Sequence, residues 1–150
     1  MNTVTHTKSF EMAVPVAQLF PLFSPEGEKL WVPGWDYQNV MGTTELSEDY
    51  VFLTKSHDHS SETAVWIVKK YEPDNYYIQF YRVEAGEKVG IVTVACTELA
   101  AAETNVAVTY EYVALSAVGE KFIEGFTAEF YRTFIDEWET LLLRYFGLIA

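Results

Sequence analysis

The sequence predicts a single α+β domain over residues 1–150, with a seven-stranded antiparallel sheet wrapped around a long C-terminal helix and two short helices after the first strand. Three observations predict it. From Gln38 to Val113 the chain breaks into short Val-, Thr- and Tyr-rich runs bounded by Gly, Asp, Asn, Ser or Glu, at the spacing of a meander. No helix-length segment separates these runs, which argues against a parallel sheet. Finally, the segment from about Ala117 to Phe146 repeats apolar residues at spacings of three and four over a helix of ~45 Å.

The elements follow in order. Thr3 to Ala13 interleaves polar and apolar residues in a Thr- and Val-rich run and reads as the first strand. Pro15 suits a first helical turn, and Pro21 interrupts the short helix it opens. In "SPEGEKLW", Ser24 offers an N-cap and Pro25 the first helical position, with Gly34 ending this second short helix. Six strands are expected next: "YQNVMG", "YVFLTKS", "TAVWIVKKY", "YYIQFYRVEAG", "KVGIVTVACTEL" and "TNVAVTYEYVAL". On the final helix Phe122, Ile123, Phe126, Phe130, Phe134, Trp138, Leu141, Leu142 and Tyr145 form one broad stripe. Such a stripe must lie against a large apolar surface, and the concave face of the sheet is the candidate. Rings or a ligand then fill the space between them.

Alternation sets which side chains face inward. Val106, Val108, Tyr110 and Tyr112 share a face, as do Val92, Val94 and Cys96. Gln79 in mid-strand points its own face outward, leaving Ile78, Phe80 and Arg82 inward, although Tyr77 and Tyr81 also suit a half-buried face. Trp66 is assigned to the interior, with either parity open. Arg82 and Glu137, the latter on the helix stripe, are the two charged residues placed to orient a ligand in an apolar pocket. Each can equally lie at the edge of its stripe and reach water or an ion-pair partner.

Composition narrows the function. A net charge of −12 without any Lys/Arg cluster argues against nucleic acid and against anionic membrane surfaces. The single cysteine, Cys96, lies in an apolar run and reads as a buried structural thiol. The N-terminus has no apolar signal core and no stretch approaches ~20 apolar residues, so a cytoplasmic protein without membrane insertion is expected. Ten Phe, ten Tyr and four Trp supply ring surface for either a bulky core or a cavity wall. His57 and His59 in "HDHSS" have the one metal-like spacing, but a polar hairpin loop explains them, and only His6 remains as a third histidine. No phosphate loop and no nucleophile motif appears, so no catalytic residue, metal or cofactor is assigned.

The segments "PEGEKLWVPGW", "VWIVKKYEPD" and "ALSAVGEKF", in this element order, make the chain resemble the polyketide cyclase/dehydrase and lipid-transport branch of the START/Bet v 1-like (SRPBCC) superfamily. The resemblance spans essentially the whole chain. It implies a helix-grip fold with an apolar cavity between sheet and helix. It also implies that Trp31 and Trp35 lie near one end of that cavity, as wall and plug or as a clasp holding the short helices to the sheet. The Gly-rich loop of plant Bet v 1 proteins is replaced by "MGTTELSEDY", which argues against plant-hormone-like binding.

The function expected is binding of a small hydrophobic or amphipathic molecule by a monomer or homodimer. The ligand-binding residues expected are Trp31, Trp35, Trp66, Ile78, Phe80, Arg82, Val94, Tyr110, Tyr112, Phe126, Phe130, Phe134 and Glu137. The alternatives are a cyclase- or dehydratase-like enzyme on an aromatic substrate, with Glu137, Arg82 or Tyr110 moving protons, and an interaction module of the chaperone-activator type.

Overall fold

The computed structural model describes residues 2–55 and 63–150. Its strands are β1 (Thr3–Met12), β2 (Val51–Lys55), β3 (Thr63–Glu72), β4 (Tyr77–Glu84), β5 (Lys88–Ala100) and β6 (Glu103–Ala114). They form one antiparallel sheet in the order β1-β6-β5-β4-β3-β2. The helices are α1 (Val16–Leu19), α2 (Pro25–Glu28), α3 (Ala117–Gly125) and α4 (Ala128–Tyr145), with a 3₁₀ turn at Phe20–Phe23 between α1 and α2. No helix among the described residues is long and apolar enough to cross a membrane.

Among the described residues the sheet has six strands, not seven. "YQNVMG" contributes a single bridge, Gln38 to Leu53, at the sheet edge. The Asn39 side chain accepts from the Gly42 amide at 3.1 Å, and Gly42 adopts φ +71°. This local side-chain bonding competes with a ladder and turns the chain away from the edge.

The short helices form as their prolines and Ser24 dictate. The Ser24 hydroxyl accepts from the Gly27 amide at 2.9 Å, with Pro25 opening α2. A Cβ on Gly27 would sit 2.2 Å from the Pro21 carbonyl oxygen, so α2 lies against the 3₁₀ turn only because position 27 has no side chain. α2 ends at Glu28, well before Gly34, which instead supplies a positive-φ turn.

The long C-terminal helix is broken. Phe126 leaves helical geometry with φ −88° and ψ 66°, and Thr127 starts a new helix by accepting from the Phe130 amide at 3.1 Å. His6 on β1 donates from Nε2 to the freed Phe126 carbonyl at 2.8 Å, satisfying it inside the fold. The break resets the helical phase. The buried stripe of α4 is Tyr131, Ile135 and Leu142, with Trp138 partly buried beside it.

α3 docks on the β4–β5 turn through Gly119, where a Cβ would lie 2.0 Å from the Glu87 carbonyl oxygen. Gly119→Ala forces backbone apart from backbone and is expected to cost about 3 kcal/mol. Chemical denaturation measures it; a loss below about 1 kcal/mol means that α3 shifts freely on the sheet.

Candidate functional site

The concave face is built in rows running across the strands. One row runs Val4, Tyr112, Gly90, Arg82, Trp66 and Phe52; the next runs His6, Tyr110, Val92, Phe80 and Val68. Gly90 makes room in the first row: a Cβ there would lie 2.9 Å from the Tyr112 ring and 3.6 Å from Arg82 Cβ. Phe52 stacks on Trp66 at 5.5 Å, and the Trp66 indole donates to the Thr54 hydroxyl at 2.9 Å. The Arg82 guanidinium lies over the Trp66 ring at 5.6 Å.

α3, α4 and the short helices face these rows with more rings. Tyr110 meets Phe134 at 5.4 Å, Tyr131 at 5.9 Å and Trp138 at 6.3 Å. Trp138 meets Trp31 at 5.7 Å and Phe23 at 6.1 Å. Tyr112 meets both Phe122 and Phe126 at 5.0 Å. The Tyr131 hydroxyl donates to the Val108 carbonyl at 2.5 Å, tying α4 to β6. Trp66, Arg82, Phe134 and Trp138 point inward and are partly buried.

Five polar groups enter this interior: Arg82, Glu84 and Lys88 as one cluster, then Glu28 and Tyr110. Arg82 donates to Glu84, and Lys88 donates to the other Glu84 oxygen at 2.9 Å, with Glu84 and Lys88 both buried. The Lys88 ammonium also lies 4.0 Å from the centre of the Phe122 ring. At the other side, Glu28 projects from α2 one turn before Trp31, whose amide lies 3.3 Å from the Glu28 carbonyl oxygen. Protein surrounds the Glu28 side chain, although part of its surface stays accessible. Burial pushes its carboxyl up to about 8. Tyr110 lies between the groups. Burial first, then the charges of Tyr112 and Glu28, hold its phenol well above the ordinary range, while Arg82 acts in the opposite sense. A carboxyl that is mostly protonated near neutrality can donate a hydrogen bond to a neighbouring acceptor or exchange a proton with it.

The expected residues fall into three groups. Ile78, Phe80, Val94, Tyr110, Tyr112 and Phe126 are buried on the interior faces, and Arg82, Trp66 and Phe134 join them. Trp31 is buried and donates to the Leu22 carbonyl at 2.7 Å, which fixes its ring in the core. Trp35 is partly buried, donates to the Pro25 carbonyl at 2.9 Å and meets Trp66 edge-on at 6.5 Å. Glu137 and Phe130 are corrections: Glu137 is exposed and Phe130 is 54% exposed. With the phase reset at Thr127, both lie about 100° or more around α4 from the buried stripe. Glu28 is the carboxylate that reaches the interior instead. Its signal was its place three residues before Trp31, on the same helical face. Cys96 is buried, and burial pushes its thiol up to about 12, as a structural thiol requires. Among the described residues no group of His, Cys, Asp and Glu could hold a metal, and His57 and His59 lie outside them.

A cleft of about 520 Å³ opens between the 3₁₀ turn, residues 44–46 and the β3–β4 connection. Leu46, Tyr71 and Tyr76, all partly buried, line it. Phe20, Phe23 and Ile78 line it too, and all three belong to the buried core.

No protein-family model and no curated protein matches the sequence. Solved structures do match the fold. Norcoclaurine synthase from Thalictrum flavum, in complex with dopamine and hydroxybenzaldehyde, superposes with a TM-score of 0.66 at 11% identity, over 95% of this chain and 87% of that one. Ara h 8.0201 gives 0.66 at 13% identity over 97% of each chain. Ginseng major latex-like protein 151 from Panax ginseng gives 0.62 at 14% identity, over 77% of this chain and 83% of that one.

Proposed function

The chain has a Bet v 1-like helix-grip fold, and from it we propose a cytoplasmic binding protein for a small amphipathic molecule held between the sheet and α4. One observation carries this reading. Polar groups from separate elements, Arg82 of β4, Tyr110 of β6 and Glu28 of α2, enter one ring-lined interior whose inward-facing residues keep accessible surface. That is the composition of a small-molecule site: mostly apolar and aromatic, with a few polar groups to fix orientation. Trp66, Phe80, Tyr112, Phe126 and Phe134 supply the walls, with Trp31 closing the end nearest α2. Trp35 seals the side over Trp66. The cleft beside Phe20 is the way in.

The raised carboxyl of Glu28 favours a second reading, an enzyme of the cyclase or dehydratase kind acting on an aromatic substrate. In it Glu28 exchanges the proton, and Tyr110 hydrogen-bonds the developing oxyanion.

Native mass spectrometry of the protein from its own host, set against the denatured mass, tests the shared premise. An added mass that denaturation releases is the expected result. A bare mass, together with no saturable change in tryptophan fluorescence on adding an apolar alcohol, overturns it.

A further inference from the structure

We infer that the interior site takes an organic cation, its ammonium head paired with Glu28 among the rings of Tyr110, Trp31 and Trp138 and its apolar body lying along the sheet. This rests on the binding reading of the same interior and names the class of ligand.

The asymmetry of the interior charges carries it. The cations there are already engaged: Arg82 is bound to Glu84 and stacked over Trp66, and Lys88 is bound to Glu84 and seated on Phe122. Glu28 is not. Among the described residues no hydrogen bond or ion pair reaches its carboxyl, and burial is the one influence acting on it. A carboxyl enclosed without a partner is costly in either form unless something supplies one. Two ring residues stand near it: Trp31, one turn further along the chain, and Tyr110, whose phenol feels the Glu28 charge; Trp138 packs against both rings, at 5.7 Å and 6.3 Å. Ring faces attract cations and offer nothing to an anion. The net charge of −12 raises the local concentration of cations in the same sense.

A competing ligand chemistry fits the same residue. A protonated Glu28 can donate to a neutral carbonyl or hydroxyl. The two differ in the sign of their pH dependence. A cation needs the carboxylate, so its affinity rises as Glu28 ionises; a neutral acceptor needs the acid, so its affinity falls. Tyr110 of β6 is the titratable group that feels the Glu28 charge, and Tyr112 of β6, Arg82 of β4 and Tyr131 of α4 act in turn on Tyr110. Burial raises both the Tyr110 and Tyr131 phenols, so neither titrates in the window where Glu28 does.

The test is a titration of the full chain with octylammonium, octanoate and 1-octanol, three probes with one tail and three head charges. Tryptophan fluorescence and calorimetry report binding, at high ionic strength to suppress surface attraction. Octylammonium is expected to bind about tenfold or more tighter than the other two, and tighter still as pH rises through the Glu28 range. Glu28→Gln is expected to bring octylammonium down to the affinity of 1-octanol. The pH dependence of the unmodified protein gives the same answer without any variant. If octanol or octanoate binds as well as octylammonium, or octylammonium weakens with rising pH, the cation assignment fails and the binding reading stands. If Glu28→Gln keeps the preference, the cation lies elsewhere and the assignment fails. If none of the three binds saturably, the binding reading fails with it.

Discussion

Glu84→Ala is expected to destabilise the fold by about 3–5 kcal/mol, because it removes the carboxylate shared by two cations inside the protein. Lys88 is 1% exposed and Glu84 4% exposed, and Arg82 donates to the same carboxylate. Two positive charges then remain enclosed after the negative one has gone. Glu84→Leu with Lys88→Met leaves Arg82, the more accessible of the two cations, as the one charge of the cluster and keeps the volume, and it is expected to cost less than Glu84→Ala alone. Urea denaturation of the variants reads both. A loss below about 1 kcal/mol for Glu84→Ala means that water reaches the cluster in solution.

Stability is expected to fall as pH rises from the ordinary carboxylate range to about 8, and Glu28→Gln is expected to remove that slope. The folded carboxyl holds its proton to higher pH than the unfolded one. Between the two midpoints the folded state therefore binds more protons. The stabilisation is complete below the unfolded midpoint and is lost progressively until pH passes the folded one. Allowing for the accessible part of the side chain, the loss is about 2–4 kcal/mol. Denaturation midpoints at about pH 5 and about pH 9, for the native chain and for Glu28→Gln, measure it. Parallel slopes for the two proteins show that the carboxyl lies in water.

Strand parity was legible because burial on one face imposes a strict period of two. The residues Val106 to Tyr112, and Ile78 to Arg82, face the interior as their alternation requires. The capping of α2 was legible from Ser24 and Pro25 because capping chemistry is local. What was illegible depended on competition between local and distant partners. "YQNVMG" has strand-like residues, but the bond from Asn39 to Gly42 wins over the ladder. The helix break at Phe126 follows from Thr127 capping the second half and from His6, a residue 120 positions away, donating to the freed carbonyl. Without that break the apolar residues of the segment fit one continuous stripe, and Phe130 and Glu137 fall on it. Glu28 lay hidden for the opposite reason. A carboxylate on an acidic chain carries no signal of burial by its type alone, and the spacing of three from Trp31 was the one pointer to it.

The pairing of β1 with β6 has a consequence for how the protein is made. Thr3 lies opposite Val113, so the first strand to leave the ribosome finds its partner only after nearly the whole sheet has been synthesised. The strands from β2 to β6 can zip as successive hairpins while translation proceeds, each closing a short loop. β1 must wait, its Phe10 and Met12 bare, until β6 offers an edge and the cap of α4 has emerged to cover them. Completion of this fold is therefore a late event in translation. Pausing near the codons for β6 would lengthen the time during which the first strand is exposed to other chains.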